Sequence, residues 1–295
     1  MKNWRREVNS GQPDGAIMNG SELMQFVEAN GAKIPQLGLG TWELRGAACA
    51  RLVEQALRLG YRHLDTAQIY ENEAAVGDGL RASGVARSEV FVTTKVWWSR
   101  FSAGDLERSA EESVKKLKLD AVDLLLLHWP NSSVPLEETI GALNHAKERG
   151  LARHIGVSNF TVALVDQAVK LSQAKLVTDQ IECHPYLDQS KVIAACKRHG
   201  MAVTAYSPIA KGAAPHDKTL AKIGRAHKKS AAQVCLRYLV QQGIVVIPRT
   251  SRVERLSENA EIFDFELSAA EMAAIRALAN PKGRAISPSW APAWD

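Results

Sequence analysis

From about residue 36 to about residue 250, short apolar runs alternate with amphipathic segments, and this alternation restricts the fold more than any other feature of the chain. Strand-like runs are predicted at Gln36–Gly40, Arg62–Asp65, Val90–Lys95, Val122–His128, Ala152–Ser158, Val177–Glu182, Ala202–Tyr206 and Ile244–Pro248. Helical patterns separate them, among them Ala47–Leu59, Asp105–Leu117, Leu136–Arg149, Lys191–His199 and Ser230–Gln241. Ser230 with Gln233, and Ser268 with Glu271, have capping-box spacing. The run VDLLLL at Val122–Leu127 is nearly continuous in apolar residues, as expected of a strand buried on both faces. Such alternation predicts a parallel sheet. About eight units in about 260 residues fit a closed (β/α)8 TIM barrel, an architecture of about 250 residues, better than the alternative of an open doubly wound sheet.

The 295 residues would also accommodate two ordinary domains, but no low-complexity linker divides the chain. The expected organisation is a flexible arm over residues 1–22, then one α/β barrel over 23–295 that includes a short C-terminal tail. The arm begins MKNWRREVNSGQPDG, lacks the apolar core of a secretory signal, and contains Met18 as an alternative start. Just after it, Gln25–Ile34 places Asn30-Gly31 between two short runs, predicting a hairpin with a type I′ turn.

Composition narrows the function classes. With 46% hydrophobic and 23% charged residues the chain is an ordinary globular one, and no apolar run approaches the roughly 18 residues of a membrane span. A net charge of +5 is diffuse, which argues against nucleic acid while suiting a phosphate-bearing ligand. Cys49, Cys183, Cys196 and Cys235 lack C-x-x-C spacing, so reduced thiols, a cytoplasmic location and no metal site are expected. Gly38-Leu39-Gly40 lacks the third glycine of the Rossmann fingerprint, and Walker, H-E-x-x-H and nucleophile-elbow motifs are missing.

The chemistry concentrates at the strand ends. In order they finish with Gly40-Thr41-Trp42, Asp65, Lys95, His128, Ser158-Asn159, Gln180 with Glu182, Tyr206-Ser207, and Pro248-Arg249-Thr250. In a barrel these ends face one mouth, where active sites of the fold lie. A polar strand cap explains any one of them, but not their recurrence at nearly every strand. Asp65, Lys95 and His128 end successive strands about 4.8 Å apart, and Tyr70 lies on the loop after Asp65. On one reading Lys95 polarises the Tyr70 phenol while Asp65 orients Lys95. An ammonium at about 4 Å in an effective dielectric near 20 favours a phenolate by up to about 4 kcal/mol, drawing its pKa towards neutrality less the cost of burial. A phenol so tuned suits carbonyl–alcohol interconversion. Taken singly, Lys95 with Asp65 reads equally as a structural ion pair, His128 as a core histidine and Tyr70 as a loop aromatic.

These residues resemble the aldo-keto reductase superfamily. The matching stretches are LGLGTW (Leu37–Trp42), HLDTAQIYENEAAVG (His63–Gly77), TTKVW (Thr93–Trp97), VDLLLLHWP (Val122–Pro130), IGVSNF (Ile155–Phe160), QIECHPYL (Gln180–Leu187), AYSPI (Ala205–Ile209), IPRTSRVERLSEN (Ile247–Asn259) and FDFELS (Phe263–Ser268). They keep family order through roughly four-fifths of the chain, and the short barrel loops are similar to those of small bacterial members such as 2,5-diketo-D-gluconate and glyoxal reductases. The resemblance implies a catalytic tetrad of Asp65, Tyr70, Lys95 and His128, and an NADPH/NADP+ cofactor lying extended across the mouth without a Rossmann domain. It implies that Ser158, Asn159 and Gln180 hold the nicotinamide carboxamide, that Tyr206 stacks beneath the ring, and that Ser207, Pro208 and Ile209 meet the pyrophosphate. Gly40, Thr41, Trp42 and Asp65 would border the cofactor. Pro248, Arg249, Thr250, Ser251 and Arg255 would clamp the adenosine 2′-phosphate, with Glu258 and Asn259 towards adenine.

Arg249-Thr250 stands where the family commonly has Lys-Ser. Arginine keeps the charge and grips phosphate bidentately, so NADPH is expected, with NADH as a weaker alternative. The implied reaction is reduction of an aldehyde or ketone, of small dicarbonyl or keto-sugar type, by a monomer. Two rivals are a Schiff-base aldolase using Lys95 and a barrel that senses NADPH without turnover. Trp42, Tyr70, Trp97, Trp98, His128 and Trp129 are expected around the substrate. Trp290 and Trp294, in SPSWAPAWD, belong to a flap over the mouth or to a surface tail.

Overall fold

In the computed structural model, which describes residues 25–295, the chain starts with a hairpin of β1 (Phe26–Ala29) and β2 (Ala32–Pro35). Asn30 and Gly31 turn it with φ of 47° and 88°, the left-handed pair a type I′ turn requires. Asn30 Nδ2 also donates to Leu176 O (2.7 Å) and His199 O (3.0 Å), pinning the hairpin tip to the body of the protein. The predicted arm over residues 1–22 lies outside the described residues.

The remaining elements come in strict alternation at first: β3 (Leu39–Gly40), α1 (Gly46–Arg58), β4 (His63–Asp65), α2 (Glu73–Ser83), β5 (Phe91–Val96), α3 (Asp105–Leu117), β6 (Val122–Leu127), α4 (Leu136–Glu148), β7 (Ala152–Ser158), α5 (Val162–Leu171), β8 (Leu176–Glu182), α6 (Ser190–Arg198) and β9 (Ala202–Tyr206). Two helices, α7 (Lys218–His227) and α8 (Ala231–Val240), precede β10 (Val245–Val246), and α9 (Glu254–Ala260) and α10 (Ala269–Arg276) come after it. Both predicted capping boxes form. Ser230 Oγ accepts from Gln233 N (3.2 Å) while Ser230 N donates to Gln233 Oε1 (2.8 Å), and Ser268 and Glu271 repeat the exchange at α10.

Strands β3 to β10 form one parallel sheet in chain order, and its edges meet. Gly38 N donates to Val246 O (2.8 Å), Val246 N to Gln36 O (2.8 Å) and Gly40 N to Pro248 O (3.2 Å), closing the (β/α)8 barrel. The first and last strands are shorter than the sequence predicts, because pairing at this seam is confined to the isolated bridges Leu37–Val246 and Gly40–Arg249. The approach is close: a Cβ on Gly40 would lie 2.7 Å from Ile247 O, so only glycine fits.

Side chains alternate across the sheet. Leu124 and Leu126 of β6 point to the barrel interior, where they join Ile34 of the hairpin, Phe91, Val177 and Val245. Leu125 and Leu127 point to the helical layer. The hairpin therefore plugs the N-terminal end of the barrel with apolar side chains, each fully buried Leu or Ile contributing about 1.5–3 kcal/mol, and leaves the opposite mouth for polar ones.

Among the buried carboxyl groups outside that mouth, Asp179 is the one most enclosed. Asp179 of β8 is wholly enclosed; its Oδ1 takes only a long 3.4 Å bond from Phe160 N and its Oδ2 has no partner among the described residues. Burial, with Asp295 adding to it, pushes this carboxyl well above the usual carboxylate range. A raised folded-state pKa means stability present below the unfolded value near 4 and lost as pH rises towards the folded one. Asp179→Asn, which needs no proton to be neutral, is expected to raise the melting temperature at pH 7.5 by a few degrees, about 1–2 kcal/mol. The gain should vanish as pH falls towards 4; scanning fluorimetry that finds the same gain at both ends would remove the protonation account.

Candidate active site

The open mouth gathers the predicted strand ends. Asp65 closes β4, Lys95 is the penultimate residue of β5, and His128 comes directly after β6 with its N–H on Val96 O (3.0 Å). Tyr70 ends a single helical turn, Gln68–Tyr70, set on the loop after β4. Lys95 is fully buried, and its Nζ donates to Asp65 Oδ1 (2.5 Å), Thr66 O (2.9 Å) and Tyr70 Oη (3.4 Å). Burial lowers the Lys95 pKa and the Asp65 carboxylate opposes it. With all three donors committed, Lys95 is an ammonium that holds Tyr70, and no lone pair is free for attack on a carbonyl carbon. The Schiff-base alternative fails on this geometry.

The expected tuning of Tyr70 is corrected. Its pKa lies well above the usual phenol value, raised by burial and by the Asp65 carboxylate. The Lys95 cation by itself would draw the phenol down; in the fold that cation is paired with Asp65, which cancels most of its pull. Tyr70 is therefore a firmly protonated phenol with an ammonium against its oxygen. His128 moves the other way: burial and the Lys95 charge push it well below the usual histidine range, so it is a neutral imidazole. Its Nδ1 is enclosed with no hydrogen-bond partner among the described residues. The Tyr70 and His128 rings stand 5.6 Å apart, edge to face.

Opposite the tetrad lies an amide cluster. Gln180 Nε2 donates to Asp65 Oδ2 (2.7 Å), so this residue, expected only at the cofactor, also completes the Asp65 carboxylate. Ser158 Oγ donates to Gln180 O (2.7 Å), and Asn159 Nδ2 to His128 O (3.0 Å) and Ser158 Oγ (3.1 Å). Asn159 takes φ of 63°, and its Oδ1 accepts from the Tyr206 hydroxyl (2.6 Å), fixing the orientation of that ring. Ser207 comes next with φ of 48°.

At the seam, Arg249 Nε donates to Trp42 O (3.2 Å), and its guanidinium meets Glu43 at a long 3.6 Å. Arg255 is exposed and makes no ion pair among the described residues. Arg249 and Arg255 are both exposed with little carboxylate to neutralise them, which is the donor chemistry an NADPH 2′-phosphate needs. The Thr250 hydroxyl accepts from Arg252 N (3.0 Å) and donates to Arg252 O (3.2 Å), holding the loop that carries Ser251. Glu258 Oε1 accepts from Ser230 Oγ (2.6 Å), tying α9 to the cap of α8, while Asn259 is buried beside it.

The tryptophans divide. Trp42, 48% exposed, packs edge-on to Tyr70 at 4.8 Å, and Trp97 packs edge-on to His128 at 5.2 Å. Trp97, Trp98 and Trp129 all meet Trp290, at 5.7, 5.8 and 4.9 Å, so the tail packs on the indoles at the mouth. Sequence reasoning missed Asn72, whose Nδ2 donates to Thr41 O (2.8 Å) and Leu44 O (3.0 Å) and whose Oδ1 accepts from Thr66 Oγ1 (2.6 Å). It locks the Trp42 loop against the Tyr70 turn. Two residues past Tyr70, its only signal was an amide in an otherwise charged and apolar stretch.

The Aldo/keto reductase family model matches residues 36–280. Methylglyoxal reductase DkgB of Escherichia coli O157:H7 is 44% identical over 266 residues, 89% of this chain and 99% of that one. A crystal structure of a protein assigned as 2,5-diketo-D-gluconic acid reductase B superposes with a TM-score of 0.91 at 50% identity, covering 93% of this chain and 98% of that chain. The aldo-keto reductase of Bombyx mori in complex with NADP superposes with a TM-score of 0.83 at 36% identity, covering 90% and 96%.

Proposed function

The chain belongs to the aldo/keto reductase family, is an oxidoreductase acting on carbonyl groups with NADPH, and from that premise we propose that it reduces small dicarbonyl compounds to hydroxycarbonyls with Tyr70 as proton donor. The observation that carries this reading is the convergence of Asp65, Lys95, Tyr70 and His128 on one buried network at the mouth. The small dicarbonyl class is supported by the similarity to methylglyoxal reductase DkgB.

When bound, the reduced nicotinamide supplies the hydride that reaches the carbonyl carbon. The protein's part is proton and geometry. His128, neutral, donates an N–H to the carbonyl oxygen and orients it. Tyr70 gives its phenolic proton to that oxygen as negative charge develops there. The oxygen left on Tyr70 becomes anionic beside the Lys95 ammonium, so a 3.4 Å contact that is weak in the resting enzyme strengthens in the transition state. Asp65 and Thr66 hold Lys95 for that moment. Ser158, Asn159 and Gln180 orient the carboxamide, Tyr206 supports the ring, and Ser207 with the Pro208-Ile209 backbone takes the pyrophosphate. Arg249 and Arg255 grip the 2′-phosphate within the Pro248–Ser251 loop, with Asn259 and the second oxygen of Glu258 towards adenine.

Residues 23–295 act as one unit in this reading, as a monomer in the cytoplasm; four buried free thiols suit a reducing compartment. Among the described residues no helix is long and apolar enough to cross a membrane. The decisive assay monitors the loss of NADPH near-ultraviolet absorbance with methylglyoxal, glyoxal, phenylglyoxal and 2,5-diketo-D-gluconate, repeated with NADH. No turnover of any dicarbonyl would overturn the proposal. Arg255→Ala is expected to raise the NADPH KM by about 10–100-fold, roughly 1.4–2.8 kcal/mol, and to change the NADH KM by less than about threefold. An equal rise for both cofactors would place Arg255 away from the 2′-phosphate.

A further inference from the structure

The strand that delivers Gln180 ends two residues later in Glu182, a carboxylate with no exposure at all. A charge there requires donors, since an ionised carboxylate in a protein interior is tolerated only when hydrogen-bonded. Three polar groups reach it. His184 Nε2 contacts Oε1 at 3.0 Å, and the other two donors come from more than one hundred residues away: Ala285 N donates to Oε1 (2.7 Å) and Ile286 N to Oε2 (3.0 Å). The Glu182 backbone oxygen is held separately by Gln189 Nε2 (2.7 Å), so the strand end that carries the side chain is itself anchored.

Beyond this attachment point the tail reaches the carbonyl side of the mouth. Trp290, four residues past Ile286, enters the indole group at 5.7 Å from Trp97 and 4.9 Å from Trp129, and Trp97 in turn packs on His128. Arg284, just before the attachment, covers the Trp294 ring at 3.7 Å. The tail is thus fastened by the Glu182 carboxylate at Ala285 and Ile286 and by Asp295 Oδ2, which accepts from Val162 N (2.9 Å), and between the two Trp290 lies among the indoles beside His128.

We propose that Glu182 is a positioning residue for substrate specificity: its carboxylate latches the tail at Ala285 and Ile286, and that latch holds Trp290 as a wall of the carbonyl pocket. The substrates it serves are carbonyl compounds with an apolar or aromatic substituent that lies on the indoles. Glu182 touches neither substrate nor cofactor. Its effect is on how much of the population has the wall in place, so it acts on KM more than on the chemical step.

The test uses Glu182→Gln, which replaces one acceptor by an N–H that faces the tail's own N–H. Hydrogen exchange of residues 285–290, measured on the protein without cofactor, should quicken at least tenfold, while far-ultraviolet dichroism stays that of the wild type. With NADPH, the KM for phenylglyoxal should rise at least tenfold, the KM for methylglyoxal by less than threefold, and kcat for both should stay within threefold. Exchange within twofold of wild type in a folded variant would overturn the latch, and a lowered kcat with unchanged KM would overturn its role in specificity. If Glu182→Gln fails to fold, Ala285→Pro removes one latch donor from the tail and leaves the barrel intact. It should expose the Ile286 amide to exchange and raise the phenylglyoxal KM, and unchanged values in it overturn the proposal. The kinetic half rests on the reductase reading, whereas the exchange half needs no substrate. A wild type without turnover therefore defeats that reading while the latch is still measured.

Discussion

Tyr70→Phe is expected to lower kcat for methylglyoxal reduction by about 10²–10⁴-fold, the range a positioned general acid supplies, with the Kd for NADPH within about twofold of wild type. The substitution removes one oxygen from a half-buried ring. The ring keeps its edge-on contacts to Trp42 and His128, so the mouth keeps its shape. What disappears is the phenolic proton next to Lys95. Because the Tyr70 pKa is raised, the wild-type reduction should show no loss of rate between pH 6 and 9, the phenol remaining protonated throughout. His128, shifted the opposite way, adds no ionisation in that window. Reduction surviving within a few-fold in the variant, at unchanged cofactor affinity, would take the proton-donor role from Tyr70.

Lys95→Met carries a double penalty. It removes the ammonium that stabilises the departing phenolate, for an expected loss of about 10²–10³-fold in kcat/KM, or roughly 3–4 kcal/mol. It also leaves Asp65 enclosed with only Gln180 donating to its carboxylate among side chains. Breaking a buried pair on one side costs about 3–5 kcal/mol, so the melting temperature should fall by roughly 10 °C. Asp65→Asn combined with Lys95→Met restores neutrality and should recover much of the stability while recovering none of the rate. Calorimetry alongside the assay separates the two. A single variant with wild-type melting behaviour would mean that the pair is not the buried, satisfied unit its 2.5 Å contact describes.

Period and punctuation made the architecture legible. Asn30-Gly31 announced its turn, VDLLLL its two-sided burial, and the two capping boxes their helices. The convergence of Asp65, Lys95 and His128 was legible because parallel strands deliver their last residues to one place whatever the intervening helices do. Less was readable where a property belongs to a group of residues. The direction of the Tyr70 shift depends on how the phenol is buried and on the nearby Asp65 carboxylate, which are matters of distance and enclosure and not of motif. The short seam strands depend on closure geometry at Gly40 and Pro248. Glu182 looked like one more polar strand end, since two of its three partners are backbone amides of residues 285 and 286, and backbone amides have no sequence signature.

The seam has a thermodynamic side as well. The barrel is completed by a few bonds between its first and last strands, and the same bridge, Gly40 to Arg249, joins the loop of Trp42 to an arginine of the proposed phosphate rim. A ligand held there spans the junction where the two ends of the strand series meet. Its binding energy would add to the few hydrogen bonds that already close the seam. On the proposed placement of the phosphate at Arg249, cofactor binding and closure of the cylinder would be linked, and a ligand bound there would raise the stability of the closed form.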